Sequence, residues 1–121
     1  MIAAPLWPKY GVNLGTLLRT CDAVGACLAV PHLPWVPDAL KQGDTLRRRP
    51  CIHWVYGDVG RWLGRQRGHG SNIVGVELTH QSIRLADLPT ARGRTVIVLG
   101  NESNGIPEEA MRHVDVAVEI P

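Results

Sequence analysis

The chain has 121 residues, of which 45% are hydrophobic and 20% are charged, and its formal net charge is +2. This length suits one domain around a single hydrophobic core and excludes a second domain. No apolar run reaches membrane length and the start of the sequence lacks a signal-peptide pattern, so a cytoplasmic protein is expected.

The charge is unevenly distributed, although its sum is small. Positive residues are concentrated in the middle third of the chain, whereas the carboxylates lie mostly in the last third. These positive residues are Lys41, Arg47, Arg48, Arg49, Arg61, Arg65 and Arg67. Strong electrostatic binders of nucleic acid usually carry a larger basic excess. Two interpretations therefore stay open, a substrate surface and an ordinary solvated face.

The cysteine and histidine patterns do not indicate a metal or a disulfide framework. Cys21, Cys27 and Cys51 are odd in number, lie among apolar neighbours and lack C-x-x-C spacing, so they are predicted to fill the core. The five histidines are scattered singly, and no pair has the i, i+4 spacing of a helical metal site. No metal is expected.

The amino-terminal part of the chain begins with a short apolar strand at residues 2–6. Residues 13–25 then repeat apolar side chains at helical spacing, with Asn13 as a suitable N-cap and Gly25 as a suitable C-cap residue. Residues 26–30 predict a second strand, which prolines close.

The middle of the chain has a less regular pattern. Residues 35–50 predict a helical turn at 37–41, followed by a basic loop. A third strand is predicted at 51–56 and a short helix at 58–65. The basic loop is a candidate substrate surface.

The last half contains three further apolar runs that predict strands, at residues 73–78, 95–99 and 114–120. Pro107 and the two glutamates after it begin a helix, as the helix dipole favours. Strands that alternate with helices predict an α/β fold, with a largely parallel sheet and helices on both faces.

Polar residues stand at two places where the carboxyl edge of such a sheet is expected. Asn13-x-Gly15-x-x-x-Arg19 enters the first helix, and Leu99-Gly100-Asn101-Glu102 leaves the strand at 95–99. Open α/β sheets bind ligands at this edge. Taken alone, each motif also has a structural explanation as a cap, a solvated charge or a turn.

The loop after residue 99 differs from the phosphate-binding P-loop. Gly100 and Gly105 have the P-loop separation, but Ile106 and Pro107 stand where Lys and Ser or Thr are required. No G-x-G-x-x-G follows the first strand, which leaves a generic Rossmann-like enzyme without support. The glycines are expected to let the backbone come close to another kind of ligand.

Together these motifs resemble the SpoU/TrmH family of SPOUT RNA ribose methyltransferases. The shared pattern is Asn-x-Gly-x-x-x-Arg-Thr at residues 13–20, Gly-Val-Glu-Leu-Thr at 75–79, Val-Leu-Gly-Asn-Glu-x-x-Gly-Ile at 98–106 and Val-Glu-Ile-Pro at 118–121. The resemblance covers Pro5 to Pro121. It implies a single SPOUT domain over residues 1–121, whose carboxyl end is threaded into a trefoil knot.

The resemblance also implies a reaction and a set of site residues. A methyl group would pass from S-adenosylmethionine to a ribose 2′-hydroxyl of tRNA or rRNA, in a homodimer without metal or membrane. Arg19 would contact the substrate ribose and phosphate, Asn13 would order the site, and Glu102 would be the carboxylate beside the cofactor loop. The implied cofactor-binding residues are Leu78, Thr79, Leu99, Gly100, Asn101, Glu102 and Ile120, and the implied RNA-binding residues are Arg19, Lys41, Arg47, Arg48 and Arg49.

Some members of this family are thought to use the motif arginine as a general base. A guanidinium keeps its proton at any pH that a protein tolerates. We therefore expect Arg19 to pair with an RNA phosphate and to stabilise the developing alkoxide, while the proton leaves to phosphate or water.

The family's third motif, Ser-Leu-Asn-Val followed by a helix, would come after Pro121. We therefore expect the sequence to be a truncated form of a longer protein, whose remaining part supplies the knot helix, part of the cofactor pocket and much of the dimer surface. No added RNA-binding domain is expected before Met1. A catalytically silent RNA-binding relative of the same fold is the alternative interpretation.

Overall fold

The computed structural model describes residues 1–43, 46–47, 49–90 and 93–120. The elements in these ranges, in chain order, are β1 Ile2–Pro5, α1 Gly11–Val24, β2 Cys27–Pro31, α2 Val36–Gly43, β3 Ile52–Val55, α3 Val59–Gly68, β4 Asn72–Val76, β5 Ile83–Arg84, a 3-10 turn Leu85–Asp87, β6 Thr95–Leu99, α4 Glu108–Met111 and β7 Val116–Glu119. None of the described helices is long and apolar enough to cross a membrane.

The strands form one sheet in the order β3-β2-β1-β6-β4-β7-β5, and each registered pair is parallel. The prediction of a largely parallel sheet is confirmed. The central strands are rich in Val, Ile and Ala because a parallel sheet is covered on both faces. The two-residue β5 was not predicted, since it is too short to carry a periodic pattern. All carboxyl ends point to one edge, so the loops after β1, β6 and β4 are neighbours there.

Helices cover both faces of the sheet, as predicted. Trp62 and Leu63 of α3 pack on one face, together with α4. Leu14 and Leu18 of α1 pack on the other face with Val36 of α2. Each such aliphatic side chain contributes about 1.5–3 kcal/mol when it is fully buried. The two clusters thus cover the two faces of the sheet.

The first helix begins two residues earlier than predicted. α1 starts at Gly11 and its N-cap is Tyr10, which makes no side-chain capping bond. The prediction that Asn13 caps this helix is therefore wrong. The solvent-exposed first turn does not need a side-chain acceptor, and this leaves the Asn13 amide free for a tertiary contact. The predicted C-cap is confirmed, because Gly25 has φ +72° and donates its N–H to the carbonyl oxygen of Asp22.

The predictions of the second and third helices are confirmed, although each helix ends later than predicted. The turn predicted at 37–41 is the full helix α2, whose Leu40 is buried between the helix and the sheet. The helix predicted at 58–65 is α3, which runs three residues further. Its N-cap is Asp58, whose Oδ1 accepts the Arg61 N–H at 3.1 Å. The helices α2 and α3, which return the chain from the carboxyl edge to the amino edge, thus form where the local sequence pattern predicts them.

The cysteine prediction is correct for one residue and wrong for two. Cys21 is buried in the core. Cys27 and Cys51 form a disulfide, with their Cα atoms 4.7 Å apart. The parallel register pairs Leu28 with Ile52, so the residues just before them stand opposite each other. A separation of 24 residues along the chain gives no sign of this proximity.

Candidate active site

The two polar motifs meet at the carboxyl edge of the sheet, as the sequence predicted. β1 lies beside β6, with Pro5 in register with Leu99. The Asn13 side-chain amide donates to Glu102 Oε1 at 3.2 Å, and the Lys9 backbone N–H donates to Glu102 Oε2 at 2.9 Å. Residues 89 positions apart are therefore joined by a direct side-chain hydrogen bond.

Glu102 is held as an exposed carboxylate with a lowered pKa. Partial desolvation acts to raise this pKa, but the opposing effects together are larger. They are hydrogen bonds from the glutamate's own backbone, from Asn13 and from the Lys9 amide, and the positive charge of Lys9. The Asn13 amide and the Lys9 N–H together orient this carboxylate, whose ionised form only accepts hydrogen bonds.

Asn101 organises the loop that carries Glu102. Its backbone N–H and C=O each bond to Gly105 at 2.9 Å, which closes the loop on itself. Its side-chain Oδ1 accepts the amides of Ser103 and Asn104 at 2.8 and 3.1 Å, and its Nδ2 donates to the Trp7 carbonyl at 2.9 Å. Because Asn101 uses both ends of its side chain on protein groups, its contribution to a ligand site comes through the shape of the loop.

The two glycines of this loop are required by its own packing. A Cβ at position 100 would overlap the carbonyl carbon of Gly105 and lie 2.6 Å from the Ile106 nitrogen. Gly105 has φ +70°, and a Cβ there would meet the Glu77 carboxylate. At Gly100 the loop's own packing thus already requires glycine, and the expectation that these glycines let the backbone approach a ligand stays a prediction.

Glu77 is a site residue that the sequence reasoning missed. Its Oε2 accepts the Ile106 N–H at 2.7 Å, and its Oε1 accepts the Leu78 N–H at 3.2 Å. Its backbone N–H donates to the Val118 carbonyl at 3.1 Å. One residue thus ties the ends of β4 and β7 to the loop after β6. The signal in the sequence was a carboxylate at the end of a predicted apolar strand, inside the Gly-Val-Glu-Leu-Thr stretch.

Thr79 belongs to a compact turn that follows Glu77. The Thr79 N–H donates to Ser82 Oγ at 2.8 Å, and the Ser82 hydroxyl donates to the Glu77 carbonyl at 2.7 Å. The Thr79 hydroxyl also lies 2.9 Å from Ser82 Oγ and accepts the Gln81 N–H at 3.2 Å. The turn keeps Leu78 at the rim of the sheet, because both of its neighbours are fixed.

A groove of about 350 Å³ runs along the carboxyl ends of β4 and β7. Its lining residues are Val76, Glu77, Leu78, Val118, Glu119 and Ile120. Leu78 is 75% exposed and Ile120 is 63% exposed, so their apolar surfaces are open to the groove. Leu99 is in register with Val76 on the neighbouring strand. The structure therefore brings the predicted cofactor residues to one edge.

Arg19 lies apart from the pair of Asn13 and Glu102. It comes six residues after Asn13 on α1, which corresponds to about 9 Å along the helix axis. With Gly15 and Gln42 it lines a groove of about 210 Å³ between α1 and α2. The site thus has two adjoining parts, the Asn13–Glu102 pair at the edge and Arg19 in this groove.

The described residues of the basic loop lie toward the opposite edge of the sheet. Lys41 is exposed in the last turn of α2, which runs away from the carboxyl edge. Arg47 and Arg49 are exposed and come shortly before Ile52, where β3 begins at the amino edge. Arg48, which was also predicted to bind RNA, lies outside the described residues. Lys41, Arg47 and Arg49 therefore lie away from the carboxyl edge that holds Glu102 within one chain.

The fold and the loop cluster define an α/β ligand-binding domain with its site at the carboxyl edge of a parallel sheet. The sequence model described as the SpoU rRNA Methylase family matches residues 7–121. The chain belongs to this family, as the motifs predicted.

Similar curated proteins extend well beyond this sequence. A tRNA (guanosine(18)-2'-O)-methyltransferase from Mus musculus, TARBP1, is 34% identical over 113 residues, which are 90% of this chain and 7% of the relative. The tRNA (guanosine(18)-2'-O)-methyltransferase of Escherichia coli K12 is 26% identical over 113 residues, 90% of this chain and 48% of the relative. The chain therefore spans less than half the length of either relative.

Solved structures share the fold. An rRNA methyltransferase from Sinorhizobium meliloti superposes with a TM-score of 0.80 at 24% identity, over 99% of this chain and 47% of that one. A TrmH/SpoU tRNA modifying enzyme from Aquifex aeolicus superposes with a TM-score of 0.72 at 25% identity, over 99% of this chain and 60% of that one. The overall fold of this chain is thus shared with these two solved structures.

Proposed function

We propose that this chain is the catalytic part of an S-adenosylmethionine-dependent methyltransferase that acts on a ribose 2′-hydroxyl of tRNA or rRNA. The observation that carries the proposal is the hydrogen bond between Asn13 and Glu102, which joins the two family motifs beside the groove of β4 and β7. The mouse and E. coli relatives are tRNA (guanosine(18)-2'-O)-methyltransferases, which supports the same reaction class.

The groove suits part of an adenosine-containing cofactor. Its volume of about 350 Å³ falls at the lower end of the range for small-ligand sites, about 300–1,000 Å³. Leu78 and Ile120 offer aliphatic surface for an adenine ring, and the strand ends beside Leu99 offer backbone donors and acceptors. When bound, S-adenosylmethionine supplies an electrophilic methyl group.

The chemical task of the protein is to position the ribose and handle its proton. A new bond forms between the 2′-oxygen and the methyl carbon, the sulfur–methyl bond breaks, and the hydroxyl proton leaves to phosphate or water. Arg19 pairs with an RNA phosphate and stabilises the developing negative charge on the oxygen. Glu102, oriented by Asn13, accepts hydrogen bonds from hydroxyl or amino groups of the bound ligands.

The groove is proposed to be one wall of the cofactor pocket. Leu78 and Ile120 stay largely exposed along it, and the E. coli relative is about twice as long as this chain. A trefoil-knotted segment of the longer protein, in a homodimer, would supply the other wall. In that dimer a partner subunit could also present its basic loop to the carboxyl edge.

The experiment that tests the function uses the full-length protein that carries this sequence. It is incubated with total tRNA and rRNA and a labelled methyl donor, and the RNA is digested and its nucleosides identified. Label on a ribose is expected, whereas label on a base would overturn the assignment. Calorimetric titration with the methyl donor distinguishes an active enzyme from a catalytically silent relative. An active enzyme should release or absorb heat on binding the donor, whereas a silent relative that does not bind it should give no heat. Glu102→Gln should slow transfer, while Glu108→Gln, a change to an exposed residue of α4, should not.

A further inference from the structure

Three residues of metal-ligating types, two cysteines and a histidine, lie together at the amino edge of the sheet, where β2 meets β3. The register pairs Leu28 with Ile52, which places Cys27 opposite Cys51. Cys51 and His53 are two residues apart on an extended segment, so their side chains point to the same face. This edge is opposite to the one that holds Asn13 and Glu102, so the cluster is separate from the proposed methyl-transfer site.

The distances fit a tetrahedral thiophilic ion. Cys51 Sγ lies 3.7 Å from His53 Nε2, and the ligand atoms of Cys27, Cys51 and His53 all lie within 4.8 Å of one another. Zinc with bonds of about 2.3 Å to sulfur and about 2.0–2.1 Å to nitrogen places its sulfur and nitrogen ligands about 3.6 Å apart. The imidazole is therefore already at ligand distance from one sulfur. The two sulfurs, which the structure joins in a disulfide, would have to separate to about 3.8 Å.

The surroundings allow both access and movement. β3 is the edge strand of the sheet, and Cys51 is exposed at its start. His53 is in register with Ala29 on the neighbouring strand β2.

We propose that reduction of the Cys27–Cys51 disulfide creates a zinc-class metal site with Cys27, Cys51 and His53 as ligands and a fourth position open to water. A dithiol reductant supplies two electrons and two protons, which convert the disulfide to two thiols while the reductant becomes a disulfide. Binding of the ion then displaces the thiol protons to solvent. Reoxidation by a disulfide of higher potential reverses these steps and releases the ion.

Cobalt(II) is the probe that tests the site, because thiolate ligation gives it a charge-transfer band in the near ultraviolet. The reduced protein should bind one Co²⁺ per chain with this band, and Zn²⁺ should displace it. The oxidised protein, lighter by two hydrogen atoms, should show no band. His53→Ala and Cys51→Ser should weaken binding at least about 10-fold. Cys21→Ser, a change to a cysteine outside the cluster, should leave binding unchanged.

Two results would overturn the proposal. One is the absence of a thiolate band in the reduced wild-type protein, and the other is equal affinity in wild type and His53→Ala. Circular dichroism of each variant ensures that a loss of binding is not a loss of fold, and Cys27→Ser replaces Cys51→Ser if the latter unfolds. None of these measurements depends on methyl transfer.

Discussion

Removal of the Glu77 carboxylate should destabilise the loop that carries Glu102. In Glu77→Ala, the Ile106 N–H loses its acceptor at 2.7 Å, in a part-buried position that water cannot fully replace. The Leu78 N–H loses a longer contact of 3.2 Å, which is exposed and therefore contributes less. The change acts on the loop without touching Asn13 or Glu102 directly.

The expected size follows from the charge of the acceptor. Hydrogen bonds to charged groups contribute about 1.5–3 kcal/mol, and an unsatisfied buried donor costs a similar amount. Glu77→Ala should therefore lower the free energy of unfolding by about 2 kcal/mol. Glu77→Gln should cost about 1 kcal/mol, because its single amide oxygen can accept from Ile106 while its NH₂ group then faces the Leu78 N–H.

Chemical denaturation of wild type, Glu77→Ala and Glu77→Gln measures these differences in the free energy of unfolding. Asp87→Ala is the matched control, since it removes the same charge from an exposed residue of the 3-10 turn and should change stability by less than about 0.5 kcal/mol. In the full-length protein, Glu77→Ala should also weaken donor binding. The reasoning is refuted if Glu77→Ala is as stable as the Asp87→Ala control, or if Glu77→Gln is the less stable of the two Glu77 variants.

Four other perturbations probe the site and its charges. Gly100→Ala should cost at least about 1–3 kcal/mol in unfolding experiments, because its Cβ would overlap backbone, whereas Gly68→Ala, where nothing lies within 4 Å, should be neutral or stabilising. The pKa of Glu102 is lower in the folded than in the unfolded protein, so its ionised form stabilises the fold above the unfolded pKa, and this contribution disappears as the pH falls through the folded pKa. Glu102→Gln should therefore be less stable than wild type at pH 7 and equally stable at a pH below the folded pKa. Denaturation curves of the two proteins at both pH values measure this difference. Arg19→Lys should lose turnover at neutral pH because a single ammonium cannot bind phosphate in a bidentate manner, and near-full activity would exclude that role. Replacement of Arg47–Arg49 by Ala should weaken RNA binding and flatten its salt dependence, while an unchanged slope in filter binding would assign these residues to an ordinary solvated surface.

The parallel sheet and the meeting of the two motifs could be predicted from the sequence for physical reasons. Long β-branched runs such as the one at 95–99 are compatible with few environments other than a sheet covered on both faces. Polar residues at the ends of such runs must lie at one edge when all strands are parallel. That rule is sufficient to place Asn13 near Glu102, although 89 positions separate them along the chain.

The predictions that were wrong or missing concern residues whose role depends on tertiary contacts, which leave no local pattern in the sequence. Asn is a residue type favoured at helix N-caps, but the Asn13 amide instead donates a hydrogen bond to the Glu102 carboxylate of a distant loop. The Cys27–Cys51 pair depends on strand register, which the separation along the chain does not encode. Glu77 was overlooked because a glutamate after a strand is ordinarily solvated, and only the returning loop gives it the Ile106 amide as a partner.

The positions of Arg19 and the basic loop constrain how one RNA can reach both. α1 has 14 residues and is therefore about 21 Å long, with its start at the carboxyl edge and its end toward the amino edge. Arg19 lies past the middle of this helix, in the groove shared with α2, and Lys41 follows in the last turn of α2. An RNA strand that lay along this groove would pass Arg19 on its way from the carboxyl edge toward the amino edge. If Lys41 and Arg19 bind one RNA strand without contacting each other, Lys41→Ala and Arg19→Ala should each weaken RNA binding, and their combined loss in binding free energy should be additive.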